Sequence, residues 1–277
     1  MRMPGGPDPL YVAARRVLLD ALQAVRSHLD AFVLVGAQAV YMHTNEADLA
    51  VAPYTIDSDL AIDPARLSPE PLLEAVLANA GFAQTPDVVG IWHRSIHVLG
   101  GEQRVAVDLL VPESLGGSGR RGARIPPHGR QVARKVEGLE AALVDKDSKE
   151  IAALDLIDMR RFQIAVAGPA GLLVAKVYKI RDRLSERDRL SDKDALDVYR
   201  LLQSIPTKEL VQRFRTLQGN DLSRQSTGFA VEQLPTLFGS PRAPGCVMAV
   251  RAAGPLADGE VLAASLVVLT GDLLEGL

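Results

Sequence analysis

Two aspartates, Asp57 and Asp59, stand one residue apart in the alternating apolar and polar stretch of residues 54–63. A period of two predicts a β-strand, on which these two side chains share one face and Ser58 points to the other. Adjacent carboxylates repel each other unless a cation neutralises them. Magnesium is commonly held by one or two carboxylates together with substrate phosphates. The spacing therefore predicts a site for Mg²⁺, or for Mn²⁺, with a solvated strand face as the alternative.

A third carboxylate, Asp108, interrupts the otherwise apolar run of residues 105–111. A lone buried carboxylate is costly unless it is paired or bound to a metal. Gly100-Gly101 lies between residues 88–99 and 103–111, which predicts a hairpin that contains Asp108. In an antiparallel or mixed sheet Asp108 could lie beside Asp57 and Asp59, and three carboxylates on adjacent strands favour a metal site.

The elements that must position these side chains begin with an amphipathic helix over residues 9–29, whose wheel places Arg15 away from the apolar stripe. The apolar run 31–35 predicts a buried strand, and a second helix starts at Gly36-Ala37. The free N–H groups at such a helix start are a ready phosphate site. The alternative is that Gly36 only makes a tight turn.

A basic segment follows the hairpin, within a glycine- and arginine-rich loop over residues 115–135. Between residues 120 and 135 it carries six basic residues and no acidic one: Arg120, Arg121, Arg124, Arg130, Arg134 and Lys135. Arginine suits bidentate contact with phosphate, so the cluster indicates contact with phosphate or RNA. The alternative is a solvated loop.

The sequence from residue 168 onward is mainly helical and predicts a second domain, with the boundary between residues 167 and 168 at Gly168-Pro169-Ala170-Gly171. Lys176, Lys179 and Arg183 share a helix face, and Asp194 and Asp197 are neighbours on the next helix. The remaining predicted elements are helices at 68–81, 172–189, 191–202, 207–217 and 259–274 and strands at 151–156 and 162–166, with no firm element over 219–255. For the helix at 68–81, Ser68 is the expected N-cap and Pro69 the expected first residue.

Composition excludes several classes of protein. The net charge of −3 gives no global positive field, so any nucleic-acid contact must be local. Cys246 is the only cysteine, which rules out an internal disulfide and fits a reducing cytoplasm. The start of the chain lacks the pattern of a signal peptide, and no apolar run reaches the ~20 residues of a membrane span.

The order of strand, glycine and helix, then Thr55-x-Asp57-x-Asp59, then Asp108 on a later strand, resembles the minimal nucleotidyltransferase fold of the DNA polymerase β superfamily. Residues 175–183 (AKVYKIRDR) and 193–201 (KDALDVYRL) are similar to the later segments of the AbiEii-type toxin nucleotidyltransferases, which include the MenT toxins. The resemblance covers about residues 30–203. It implies an α+β fold: a minimal nucleotidyltransferase mixed sheet with flanking helices, and a helical C-terminal domain that completes the active site.

The resemblance also implies an activity and roles for single residues. Asp57 and Asp59 would bind the metal with Asp108 as third carboxylate, Gly36 and Ala37 would hold phosphate, and the acidic residue of the last motif would be Asp194 or Asp197. Lys176, with Arg183, would contact the triphosphate of an NTP. The implied reaction is transfer of a nucleotide to a tRNA 3′ end, with RNA held by the basic segment and Lys179. The implied biology is a toxin opposed by an antitoxin protein.

Three positions depart from the family pattern, and other functions remain open. Ala37 stands where the family has glycine or serine, Pro53 where an arginine is common, and Lys193 where the last motif opens with arginine. One alternative is an enzyme that modifies a small molecule, as the aminoglycoside nucleotidyltransferases do. Another is a catalytically silent nucleotide-binding module.

Overall fold

The structure, a computed structural model, describes residues 7–44, 55–85, 88–185, 192–255 and 257–277. The chain divides into two compact units, each made of separated segments. The first takes in the described parts of residues 1–38, 53–136 and 147–166, and the second those of 39–52, 137–146 and 167–277. The boundary between residues 167 and 168 stays a prediction. Tyr54 and Pro53 lie outside the described residues.

The described residues form an eight-stranded mixed sheet in the order β3-β4-β5-β2-β1-β8-β7, with β6 paired to β5. The strands are β1 (Phe32–Val35), β2 (Asp57–Ile62), β3 (Ala83–Gln84), β4 (Ile91–Val98), β5 (Gly101–Pro112), β6 (Arg134–Val136), β7 (Lys146–Ala152) and β8 (Arg161–Ala167). β2 pairs with β5 in parallel and with β1 in antiparallel orientation. The mixed sheet and the α+β fold class are as predicted.

The first unit also contains α1 (Pro9–Ala24), α3 (Leu73–Asn79) and the start of α2 (Gly36–His43), whose residues from Ala39 onward belong to the second unit. α1 begins at Pro9 because Asp8 caps it, its carboxylate accepting from the backbone N–H of Leu10 at 2.8 Å. Its buried face packs against β2, β4 and β5 and against α3. A 3₁₀ helix, Arg26–Ala31, then leads into β1.

The second unit is mainly helical. Its helices are α4 (Glu140–Val144), α5 (Pro169–Ser185), α6 (Lys193–Ser204), α7 (Thr207–Gly219), α8 (Arg224–Phe238), α9 (Pro244–Ala253) and α10 (Gly259–Gly276). α5 packs on α6, α6 on α9, and α10 on α7, α8 and α9. No helix among the described residues is long and apolar enough to cross a membrane.

Several predicted elements are confirmed and others are wrong. The hairpin around Gly100-Gly101 and the helix that starts at Gly36 are confirmed. The helix predicted from Ser68 begins only at Leu73, whose N–H is capped by Nδ1 of His128 at 3.2 Å, a residue remote in sequence. The strand predicted over 151–156 ends at Ala152.

The largest error is the stretch 219–255, which was expected to hold no firm element and instead forms α8 and α9. Gly228 and Pro235 interrupt the helical pattern of α8 in the sequence. Burial of the apolar side chains of this helix offsets the low helix propensity of Gly228 and Pro235. The predicted helix 172–189 is described only as far as Ser185.

Candidate active site

The carboxylates of Asp59 and Asp108 belong to directly paired residues of β2 and β5. The two strands run parallel, and their register places Asp57 opposite Ala106 and Asp59 opposite Asp108. Both side chains are nearly buried, Asp59 with 6% and Asp108 with 8% of its surface exposed. The expectation that Asp108 could lie beside Asp59 is therefore confirmed.

Asp59 is a nearly buried carboxylate that makes no hydrogen bond and no ion pair with any described residue. Gly36 lies directly against it. The φ of Gly36 is +70°, and a Cβ added there would overlap Oδ2 of Asp59. The glycine thus does two things: it allows the left-handed turn between β1 and α2, and it leaves room beside the carboxylate.

Asp57 is exposed, and its carboxylate accepts a 2.5 Å hydrogen bond from the hydroxyl of Thr55. Ser58 points to the opposite, buried side of the strand, as the period of two predicted. There Nε2 of Gln38 donates to Oγ of Ser58 at 2.6 Å and to the carbonyl of Asp57 at 3.1 Å. Gln38 therefore fixes the backbone that carries the two aspartates.

A buried arginine, Arg15 of α1, holds the side chain of Gln38 in place. Nε of Arg15 donates to Oε1 of Gln38 at 2.8 Å, and Nη1 donates to the carbonyl of Ala152 at 3.0 Å. Arg15 is 6% exposed, so its expected place on the polar side of α1 was wrong. Sequence reasoning placed Arg15 off the apolar stripe and so missed this network; its spacing of four residues from Tyr11 and from Leu19 was the signal that could have found it.

Asp108 has a basic partner, Arg134 of β6. Nη2 of Arg134 donates to Oδ2 of Asp108 at 2.7 Å. Burial, and secondarily the charge of Asp59, raise the pKa of Asp108 to about 6, although Arg134 acts in the opposite direction. Negative charge is therefore only partly compensated at this point of the sheet.

This donor set fits a divalent cation that also takes ligands from a substrate. Among the described residues no three His, Cys, Asp or Glu side chains form a group that could hold a metal ion by themselves. Asp59 and Asp108 nevertheless supply two hard oxygen donors, and magnesium is usually held by one or two carboxylates plus phosphates and water. The predicted set of Asp57, Asp59 and Asp108 stays a prediction.

In the second unit, Lys176 lies between Asp194 and Asp197. Its Nζ donates to Asp194 at 2.6 Å and to Asp197 at 2.7 Å, and it is 3% exposed. Asp197 also accepts from Arg200 at 3.0 Å, and Asp194 pairs with Arg183. Both aspartates thus face the same lysine. The predicted contacts of Lys176 and Arg183 with a triphosphate stay predictions.

The basic segment divides into two groups. Lys135 is tied to Glu113 at 2.8 Å, and Arg134 to Asp108. The other four are exposed and make no hydrogen bond or ion pair through their side chains with described residues: Arg120, Arg121, Arg124 and Arg130. Exposed arginines without partners are available to an anionic ligand. Lys179, the other predicted RNA contact, belongs to the second unit.

Comparison with known proteins adds no identification, since no family model and no curated protein matches the chain. The geometry of the carboxylates, the glycine and the arginines therefore carries the functional argument.

Proposed function

We propose that the protein is a metal-dependent nucleotidyltransferase, which transfers a nucleoside monophosphate from an NTP to an acceptor hydroxyl and releases pyrophosphate. The observation that carries the proposal is the register of Asp59 with Asp108 beside Gly36. A nearly buried carboxylate without a partner is unfavourable in an empty site, and a cation would compensate it.

The residues of the first unit have distinct parts in this reaction. Asp59 and Asp108, with Asp57, hold Mg²⁺ (or Mn²⁺), and the first backbone N–H groups of α2, at Gly36 and Ala37, attract phosphate. Bound magnesium supplies charge neutralisation of the phosphates and of the leaving pyrophosphate. The acceptor oxygen forms a bond to the α-phosphorus, the bond to the β-phosphate breaks, and the hydroxyl proton passes to water.

The acceptor is proposed to be an RNA, since four exposed arginines of the basic segment have no described partner (Arg120, Arg121, Arg124 and Arg130). The resemblance to AbiEii-type toxins makes this RNA the 3′ end of a tRNA. It adds that transfer arrests growth in the cytoplasm and that an antitoxin protein counteracts it. Binding through arginines should weaken steeply with salt.

The test is transfer of label from each of the four α-labelled NTPs to total tRNA, with aminoglycosides as parallel acceptors. Label on tRNA, dependent on Mg²⁺ or Mn²⁺, is expected. A variant with Gln at the four exposed arginines should transfer less, whereas Gln at four other exposed arginines (Arg26, Arg66, Arg104 and Arg161) should not matter. Label on the aminoglycosides alone would move the proposal to a small-molecule acceptor. No transfer and no cation-dependent NTP binding would refute it.

A further inference from the structure

Arg134 reaches Asp108 from a short strand that is fixed against the carboxylate strand. β6 pairs with β5 in parallel, with Arg134 opposite Leu110. Gly90 packs between them: its N–H donates to Gln131 at 2.9 Å, and its carbonyl accepts from the N–H of Leu109 at 2.7 Å. A Cβ at Gly90 would approach the backbone nitrogen of Arg134 to 2.5 Å. The arginine is therefore placed at Asp108 by backbone structure.

The contacts of the guanidinium are incomplete apart from this ion pair. Nη2 donates to Asp108 at 2.7 Å, but Nε is buried and has no hydrogen-bond partner among the described residues. A buried donor without an acceptor is unfavourable. The side chain as a whole is 33% exposed, so it has a route towards solvent. These contacts indicate that the ion pair with Asp108 holds the guanidinium in place, and that the side chain can move away from Asp108 towards solvent.

Asp59 completes the set of charges. It lies in register with Asp108 and has no described partner, so the guanidinium of Arg134 pairs with only one of the two carboxylates. A divalent cation bound by the two carboxylates would lie close to the guanidinium, and like charges at such distances repel strongly. The cation and the guanidinium therefore compete for Asp108.

We propose that Arg134 is an internal counter-ion, which pairs with Asp108 while no divalent cation is bound and gives it up when one binds. The inference rests on the proposed function, because that function supplies the cation. Its consequence is that Arg134 weakens cation binding and thereby sets the concentration at which the site fills. Arg134 acts through Asp108 and is thus a positioning residue.

A purely structural role for Arg134 would have the opposite effect. If the arginine only anchored β6 against β5, its removal would loosen the strand that carries Asp108. Cation binding would then weaken or stay unchanged. The sign of the change in affinity separates the two roles.

The experiment is a titration of the full-length protein with Mn²⁺. Binding is measured by calorimetry and by the electron paramagnetic resonance signal of the free ion. We expect Arg134→Gln to tighten Mn²⁺ binding about tenfold, because it removes the competing charge. Arg134→Lys keeps the charge and should bind as the wild type does. Arg66→Gln, at an exposed arginine outside the site, is the matched control and should change nothing.

An unchanged or weaker affinity in a folded Arg134→Gln protein would overturn the inference and leave the proposed function standing. Absence of Mn²⁺ binding in every variant would overturn both. If Arg134→Gln does not fold, the arginine side-chain NMR signals of the wild type provide the test. The signal of Arg134 is identified as the one that is absent from the spectrum of Arg134→Lys. This signal should shift when the wild type is titrated with Mg²⁺. A signal that does not shift would also overturn the inference.

Discussion

Asp59 and Asp108 face each other across two parallel strands, both nearly buried, and only Asp108 has a described cationic partner. Two carboxylates in this position oppose the stability of an empty site, since burial and mutual repulsion both disfavour the charged forms. Strain of this kind is common where a fold prepares a binding site.

Gly36→Ala should destabilise the first unit and abolish cation binding, because the new Cβ meets the carboxylate of Asp59 and the backbone has positive φ. Gly81→Ala is the matched control: its φ is +81°, but nothing lies within 4 Å of the added Cβ. The backbone term, about 1 kcal/mol, should be common to both. Thermal unfolding and Mn²⁺ titration check this, and equal behaviour of the two variants would contradict the close packing of Gly36 on Asp59.

Gln38→Leu should lower the free energy of unfolding by about 2–4 kcal/mol, because it removes the hydrogen bonds that Gln38 makes with Arg15 Nε, Ser58 Oγ and the carbonyl of Asp57. The comparison is Gln163→Leu, which removes a Gln–Ser hydrogen bond of 3.0 Å at an exposed position. That change should stay within about 0.5 kcal/mol. Urea titrations of both variants measure the difference, and a small effect at Gln38 would refute its role in fixing the strand.

The stability of the wild type should fall as pH rises from about 4 to about 6, through the ionisation of Asp108. Its pKa is 3.8 in the unfolded chain and is raised to about 6 on folding, mainly by burial. In this interval the folded state binds more protons, so the free energy of unfolding decreases with pH. Asp108→Asn lacks this loss, and its stability relative to wild type should improve by on the order of 2 kcal/mol between pH 4 and pH 7.

Urea unfolding of both proteins at several pH values measures that difference directly. The favourable pairing with Arg134 is already part of the raised pKa, so the predicted difference between the two proteins includes the loss of that ion pair. If the stability of Asp108→Asn relative to wild type stayed constant or fell between pH 4 and pH 7, that result would contradict the raised pKa of Asp108.

In the second unit, Asp197→Asn should cost more stability than Asp194→Asn. Asp197 has no exposed side-chain surface and pairs with two buried cations, Lys176 and Arg200. Leaving buried charges unpaired costs about 3–5 kcal/mol. Arg183, the second partner of Asp194, is 22% exposed and can reach water. Thermal unfolding gives the ranking, and a larger loss for Asp194→Asn would show that Asp194 is the central residue of the cluster.

The parts of the fold set by local pattern could be predicted from the sequence. The period of two around Asp59, the Gly100-Gly101 turn and the apolar strand before Gly36 each contain their own signal, and the structure has all three elements. The presence of Asp108 in an apolar strand indicated that it could lie beside Asp57 and Asp59, and the register of β2 with β5 places it opposite Asp59. The placement of Asp57 and Asp59 on one face of the strand and of Ser58 on the other follows from the alternation of side chains along a strand.

Features that depend on contacts between distant segments could not be predicted. Arg134 was recognised as basic, but its pairing with Asp108 depends on the parallel contact of β6 with β5. Arg15 looked like a surface residue because its partners, Gln38 and Ala152, belong to other elements. In α8, Gly228 and Pro235 hid a helix that tertiary packing stabilises.

The most direct test of the central claim compares Asp59→Asn with Asp63→Asn in the transfer of α-labelled nucleotide to tRNA. Asp63 lies just beyond β2, and its carboxylate accepts from the N–H of Ala65 at 3.0 Å, away from the paired carboxylates. We predict that Asp59→Asn loses at least about a hundredfold in rate, since it removes a metal ligand, while Asp63→Asn retains the wild-type rate. Transfer at the wild-type rate by a folded Asp59→Asn protein would contradict it.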